Sequence, residues 1–159
     1  MELPEYIKEG GRQITLYNLS FYAGLLVVTY VVDLPGLITG QRAILDEHYR
    51  SKFLGNYVLI EFLIVGLYVL VALASLSAIL GVDFVDINGA SLCHRLTAVL
   101  VTTLLISGVA CFVFRSLPKT DNNIFSQWFH GAGYAALVYD AVLVVVVYLL
   151  FDFLTSQTV

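Results

Sequence analysis

Residues 134 to 153 read YAALVYDAVLVVVVYLLFDF, an apolar stretch with a carboxylate, Asp140, inside it. The uncharged run from Ala141 to Phe151 has 11 residues. At the helical rise such a run covers about 16 Å, roughly half of a hydrocarbon core of about 30 Å. Extending the segment backwards adds 18 uncharged residues, from Asn122 to Tyr139. The sequence therefore predicts a membrane-spanning helix that contains Asp140.

The composition of the whole chain agrees with a membrane protein. Of its 159 residues, 59% are hydrophobic and 13% are charged, and the mean hydropathy of +0.87 lies above the usual range of soluble domains. Three further uncharged runs, residues 13–32, 62–82 and 96–114, each have the length of one transmembrane helix. The class of function to consider is therefore that of integral membrane proteins.

The four apolar segments predict one all-α membrane domain that covers residues 1–159. The expected spans lie near residues 14–32, 57–82, 96–115 and 130–153. The connections are too short for a separate soluble domain, so the predicted architecture is an up-down-up-down bundle with both termini on one side. The first and third connections carry five of the eight positive residues, and the positive-inside rule then predicts that they face the cytosol.

The connection after the first predicted span is the most charged part of the chain. Between residues 36 and 53, Leu45, Tyr49 and Phe53 recur at a spacing of four, while charged residues occupy the other helical faces. This pattern predicts a short interfacial helix with those three side chains facing lipid or a partner protein. A solvated loop is the alternative interpretation.

Other polar and aromatic residues are predicted at the membrane boundaries. The 21 uncharged residues after Glu61 are long enough to cross a membrane alone, so Glu61 is expected at the interface. Arg95 and Arg115 bracket the third span, and their long side chains can extend to the two head-group layers. Trp128 and Phe129 are expected in or above the interface, where they would contact head groups or a partner.

Several classes of function are disfavoured by the residue pattern. The net charge of −4 and the lack of a basic cluster argue against a nucleic-acid partner. His48, His94 and His130 have no second ligand at helical spacing, so neither a haem nor a metal cofactor is predicted. The sequence contains no hydrolase or metalloprotease motif and no phosphate-binding glycine loop. We therefore expect a protein that is not an enzyme.

Asp140 is the main candidate functional residue. On insertion scales an Asp at the centre of a membrane helix costs about 2.5 to 3.5 kcal/mol, so it calls for a partner or a function. One hypothesis is a structural clamp, in which Asp140 pairs with Arg115 or with hydroxyl groups across the bundle. The other is a proton or cation site. Because the other predicted spans offer few polar residues along a path, the sequence favours the clamp.

The segment from Trp128 to Asp140 reads WFHGAGYAALVYD. It resembles a segment of small multi-span membrane proteins of the nucleocytoplasmic large DNA viruses, the chloroviruses among them. In those proteins a tryptophan, a glycine followed by an aromatic residue, and a Tyr/Trp-Asp pair precede the last apolar span. The resemblance implies a component of a virion inner membrane, derived from the host endoplasmic reticulum, that contacts minor capsid proteins. It implies no catalytic residue.

Together these patterns predict a non-enzymatic polytopic membrane protein with a structural role, which docks capsid proteins to a virion inner membrane. The expected partners are the lipid bilayer and other membrane or capsid proteins, and the chain is also a candidate for a homo-oligomer. The alternative function is that of a small proton- or cation-conducting channel or transporter that uses Asp140.

Overall fold

The computed structural model describes the backbone of residues 5–50 and 54–157, and the side chains of residues 8–47 and 59–157. The structure is 86% helical, with no strand in the part of the chain described. In chain order the elements are α1 (Glu5–Leu25), continued by a π-helix (Leu26–Val31), α2 (Leu34–Thr39), α3 (Arg42–Arg50), α4 (Leu54–Leu80), a 3₁₀ turn (Phe84–Gly89), α5 (Leu92–Ser116), α6 (Ile124–Ala132) and α7 (Ala135–Ser156). The predicted all-α class is confirmed.

Four segments are long and apolar enough to cross a membrane, which confirms the predicted number of spans. They are Lys8–Val31, Leu59–Leu80, Leu92–Ser116 and Ala135–Ser156. Helix α7 packs against both α1 and α5, and α4 packs against α5. The ring of Tyr17 in α1 lies 6.1 Å from that of Phe151 in α7, so the start of α1 adjoins the end of α7. The two helices are therefore antiparallel.

The spans bury small and hydroxyl side chains and expose large aliphatic ones. Ile79 is 79% exposed and Phe112 is 72% exposed, whereas Ser20 and Thr103 are fully buried. Both hydroxyls donate to the carbonyl four residues back in their own helix, at 2.8 Å. This distribution suits a bundle that faces lipid, because small interior residues let helices approach closely. One close approach is at Gly24, where an added Cβ would lie 2.7 Å from Val147 of α7.

The fourth predicted span, residues 130–153, is wrong as a continuous helix. Gly133 has φ +59 and ψ −139, a conformation that side chains disfavour, and it separates α6 from α7. Asn123 is the N-cap of α6 and accepts a hydrogen bond from the Ser126 amide at 3.1 Å. Because α7 starts only at Ala135, Asp140 is its sixth residue, about 7.5 Å from the start at the helical rise.

The interfacial helix predicted over residues 36–53 is replaced, in its described part up to Arg50, by two short helices. Gly40, with φ +65, ends α2 before α3 begins. Asp33 caps α2 by accepting from the Gly36 amide at 3.3 Å, and it also forms a 3.0 Å ion pair with Arg42 of α3. This hydrogen-bonded pair raises the pKa of the Arg42 guanidinium. One aspartate therefore contacts both short helices.

Leu45 faces the interior of the protein and not lipid, which corrects its predicted orientation. Its side chain is 2% exposed, and α3 packs against both α4 and α6. Burial in this cap over the bundle provides more contact for an apolar side chain than a polar interface would. The side chains of Tyr49 and Phe53, predicted to share this face, lie outside the described residues.

The topology predicts which loops are labelled from each side of the membrane. Cys93 is exposed at the start of α5, whereas Cys111 is buried. In the Cys111→Ala background we expect a membrane-impermeant maleimide to label Cys93 from one side. In Cys93→Ala/Cys111→Ala it should label Asn122→Cys only from the other side, and Gln157→Cys from the side of Cys93. Labelling of Cys93 and Asn122→Cys from one side would contradict the bundle order.

The break between α6 and α7 predicts a stability cost for a side chain at residue 133. Gly133→Ala should lower the free energy of unfolding by about 1 to 3 kcal/mol, because alanine is strained in this backbone conformation. Gly89→Ala is the matched control, since an added Cβ there meets no atom within 4 Å. Unfolding of both variants in a mild detergent measures the difference. Equal stability of the two would exclude a rigid break at Gly133.

Candidate functional site

A cavity of about 370 Å³ lies between α4, α5 and α7 and is closed at one end by α3 and α6. Most of its wall is aliphatic or aromatic. Helix α3 contributes Leu45, α5 contributes Ala110 and Phe114, and α6 contributes Trp128 and Phe129. Volumes in this range, with apolar walls and few polar groups, are typical of small-molecule sites. The cavity is the candidate functional site.

Asp140 lines this cavity on the α7 side. The hydroxyl group of Ser107, a fully buried residue of α5, donates a hydrogen bond to the Asp140 carboxylate. Asp140 thus lies toward the bundle, and its partner is a hydroxyl group on a neighbouring helix, one of the two kinds of partner that the clamp hypothesis named. A charged acceptor makes this hydrogen bond stronger than one between neutral groups. The contact therefore holds one side of the carboxylate against α5 and leaves the residue in the cavity wall.

Arg115, the other partner that the clamp hypothesis allowed, contacts Tyr134 instead of Asp140. Its guanidinium lies 4.9 Å from the centre of the Tyr134 ring, and its side chain passes beside Gly133. Asp140 lies seven residues further along the chain than Gly133, which amounts to about 10 Å along a helix. The break at Gly133 keeps Tyr134 at the end of the bundle, where it binds Arg115 by a cation–π contact.

Glu61 of α4 lines the same cavity as Asp140. It is the third residue of the candidate span Leu59–Leu80, near the membrane boundary at which the sequence placed it. The sequence did not show that this boundary position faces the interior. Two carboxylates from different helices are thus brought into one cavity, near the end of the bundle that α3 and α6 cover. The juxtaposition depends on the packing of α4, which periodicity does not reveal.

Trp128 and Phe129 do not face a partner or lipid, and their predicted docking role is wrong. They are 5% and 4% exposed. The Trp128 ring lies 5.4 Å from that of Tyr139, and Phe129 stacks at 5.8 Å on Phe114. The fold-back at Gly133 turns the apolar face of α6 toward the bundle, where burial stabilises both rings. They form an aromatic wall of the cavity.

A hydrogen bond to α1 supports the aromatic wall. The hydroxyl groups of Thr29 and Tyr139 lie 2.8 Å apart, and both residues are buried. Thr29 belongs to the π-helix of residues 26–31, whose changed winding distinguishes this turn from the rest of the span. π-Helical turns often occur at functional sites. Here the bond holds the Tyr139 ring between Trp128 and α1.

A second polar site, the Arg95 network, lies at the opposite end of α5 and α7. Arg95 is 8% exposed. Its guanidinium donates to the Asp152 carboxylate, to the Tyr148 hydroxyl at 3.0 Å and to the Ala90 carbonyl at 3.1 Å. The sequence predicted that Arg95 extends to the head groups. It points inward because an opposite charge, Asp152, occupies the adjoining end of the antiparallel α7.

The predicted histidine positions form no ligand set within the described part of the chain. His94 contacts its own N-cap, Ser91, at 2.9 Å, and the ring of His130 lies 3.2 Å from the Leu117 carbonyl. The side chain of His48 lies outside the described residues. Among the residues that were searched, no three His, Cys, Asp or Glu side chains are grouped as a metal site. The lack of a cofactor stays a prediction.

Comparison with known proteins yields no relative from which a function can be transferred. No protein-family model, no curated protein and no solved structure matches the chain. The functional argument consequently rests on the cavity and on the residues that form its wall.

The Arg95 network predicts a strong dependence of stability on one ion pair. Asp152→Leu should lower the free energy of unfolding by about 3 kcal/mol, because it leaves the guanidinium buried without its carboxylate. This value is at the lower end of the range for the loss of one partner from a buried ion pair. Arg95→Met/Asp152→Leu should recover most of this loss, since the unpaired charge is then removed. Denaturant unfolding of the single and double variants measures both effects.

The matched control for this experiment is an ion pair at the surface. Arg12 and Glu9 are 39% and 50% exposed and lie 2.8 Å apart. Glu9→Leu should change the free energy of unfolding by less than about 1 kcal/mol, because water screens this pair. A double variant as unstable as Asp152→Leu alone would show that the two residues of the Arg95 network are not coupled.

Proposed function

We propose that the protein is a proton- or cation-translocating membrane protein in which Asp140 is the binding residue and Glu61 a second acidic residue of the same site. The observation that carries the proposal is the shared cavity: carboxylates of α4 and α7 line one space inside a four-span bundle. Acidic residues inside membrane spans are costly and mark ion pathways and proton relays. Two of them in one cavity supply the second polar position that a pathway requires.

The geometry supports this function over a purely structural clamp. The clamp hypothesis allowed two kinds of partner for Asp140, Arg115 or a hydroxyl group, and Arg115 instead contacts Tyr134. A hydroxyl is the partner of Asp140, and a neutral amide at residue 140 could accept the same hydrogen bond at a lower desolvation cost. A clamp also gives no reason for Glu61 to face the cavity. The strong ionic link between α5 and α7 is formed elsewhere, by Arg95 and Asp152.

The docking role loses support from three of the five residues named for it, while the side chains of the other two, Tyr49 and Phe53, lie outside the described residues. Leu45, Trp128 and Phe129, which were expected to contact capsid or membrane partners, are buried in the chain's own core. Their burial supplies a packing reason for the apolar and aromatic character of these positions. The proposal is accordingly for a binding and translocating protein, neither an enzyme nor a docking protein.

A virion inner membrane remains a second candidate location, supported by the resemblance of the segment from Trp128 to Asp140. In this fold the same segment has internal roles, since Gly133 makes the break and Tyr139 bonds Thr29. A structural virion role, with membrane of endoplasmic-reticulum origin and capsid proteins as partners, therefore stays a prediction. Immunogold detection of the chain in purified particles would support it, and exclusion from the particles would contradict it.

Translocation is tested by reconstituting the protein in liposomes that contain a pH-sensitive dye. We expect proton flux in the wild type and a loss of at least about tenfold in Asp140→Asn, because the amide cannot carry a proton at this position. Glu61→Gln should reduce the flux as well. Asp83→Asn is the matched control: it makes the same chemical change at an exposed residue outside the cavity, and it should leave the flux unchanged.

Two measurements make the outcome decisive. Thermal unfolding of Asp140→Asn should be close to that of the wild type, because the amide still accepts the Ser107 hydroxyl. Sodium and potassium flux are measured in parallel with fluorescent indicators. Wild-type flux no greater than that of protein-free liposomes for all three cations, or equal flux in wild type and Asp140→Asn, would refute translocation through this site.

A further inference from the structure

The cavity wall combines two carboxylates with several aromatic rings, and its volume is about 370 Å³. We propose that its occupant is an organic cation with an apolar body, such as an aromatic or alkyl quaternary ammonium compound. This inference rests on the proposed cation site and names its ligand class. It requires that the size, the wall chemistry and the charge of the cavity all favour such a ligand over an inorganic ion.

The size of the cavity is the first argument. Pockets of about 300 to 1,000 Å³ accommodate small organic molecules. A bare proton occupies a single carboxylate, and a metal ion needs only a cage a few ångströms across. The wall residues hold the space open from five helices, α3 to α7. The dimensions therefore suit a molecule with a body of several carbon atoms.

The chemistry of the wall is the second argument. Hard cations such as Ca²⁺ take six to eight oxygen ligands, which replace their water. Here the Tyr139 hydroxyl is bonded to Thr29, and Ser107 already donates to Asp140. The wall is otherwise mainly aliphatic and aromatic. A strongly hydrated ion would therefore lose more hydration free energy than it gained from contacts with the wall. An organic cation holds its hydration water weakly and gains from apolar burial.

The position of the aromatic rings is the third argument. Trp128, Phe129 and Phe114 line the cavity into which Asp140 and Glu61 also face. Aromatic faces attract quaternary ammonium groups, most strongly where water is excluded. Asp140 then supplies the opposite charge, while the rings hold the apolar body.

The test uses the full chain in phosphatidylcholine nanodiscs, titrated with benzyltrimethylammonium and followed by saturation-transfer NMR. We expect benzyltrimethylammonium to bind at least about tenfold tighter than tetramethylammonium, which has the charge but lacks the aromatic body. Asp140→Asn should lower the affinity for benzyltrimethylammonium by at least about tenfold. The exposed control Asp83→Asn should leave that affinity unchanged. Neopentylbenzene replaces the nitrogen by carbon, and its binding should be insensitive to Asp140→Asn.

A cavity-filling variant tests whether the ligand occupies the cavity. Ala110 lines the cavity, whereas Ala74 is exposed on α4. Ala110→Leu should displace benzyltrimethylammonium, whereas Ala74→Leu should leave its binding unchanged. Thermal unfolding of both variants establishes that any loss of binding is not a loss of fold.

The outcomes distinguish failure of this inference from failure of the proposed function. If sodium or tetramethylammonium binds as tightly as benzyltrimethylammonium, and binding depends on Asp140, the organic ligand class is wrong and the cation site stands. The same conclusion follows if proton flux depends on Asp140 but benzyltrimethylammonium does not bind. If no cation binds and no flux is seen, both proposals are wrong.

Discussion

The structure depends on one constraint: every ionisable group inside a membrane helix must turn toward the bundle and find a partner there. Helix α7 carries two such groups, Asp140 and Asp152. Both are satisfied by α5, through Ser107 and Arg95. The two contacts are 12 residues apart on each helix, from Arg95 to Ser107 on α5 and from Asp140 to Asp152 on α7. Their order is reversed between the helices because these are antiparallel. They lock α5 and α7 at two levels, about 18 Å apart along the axes.

These two levels have opposite character. At the Arg95 end the guanidinium donates hydrogen bonds to a carboxylate, a hydroxyl and a backbone carbonyl. At the Asp140 end a single hydroxyl is the bonded partner on α5, and an open cavity adjoins the carboxylate. A buried ion pair whose geometry is fully satisfied resists rearrangement. A carboxylate beside a cavity can instead exchange a proton or a ligand, so the proposed function is assigned to that end.

Much of the fold could be predicted from the sequence, because the length and apolarity of a segment are sufficient to identify a membrane span. The four spans, the position of Asp140 inside the last one and the N-cap at Asn123 were all predictable. The break at Gly133 could not be predicted, since glycine within an apolar run is compatible with either a continuous helix or a turn. Because of that break, Arg115 lies away from Asp140 and the side chain of Trp128 is buried in the core.

The site itself was only half visible in the sequence. Asp140 stood out as a carboxylate in an apolar run, whereas Glu61 and Arg95 lie at span boundaries, where a charged residue ordinarily contacts head groups. Whether such a residue faces outward or inward depends on the rotation of its helix, and that rotation is set by packing between segments distant in sequence. For Arg95 the sequence did contain an indication of its partner. Basic Arg95 lies near the start of the third span, and acidic Asp152 lies near the end of the adjoining antiparallel span.

The cavity arises from unequal packing of the spans around α7. At Gly24, α1 approaches α7 closely enough that an added Cβ would clash with Val147, and α5 is held by the two polar contacts. Helix α4 packs mainly on α5 and only lightly against α7. The space left between α4 and α7 is covered by α3 and α6, whose apolar side chains, including Leu45 and Trp128, close it at one end. The connections that contain α3 and α6, which were expected to dock partners, are therefore needed to form the cavity.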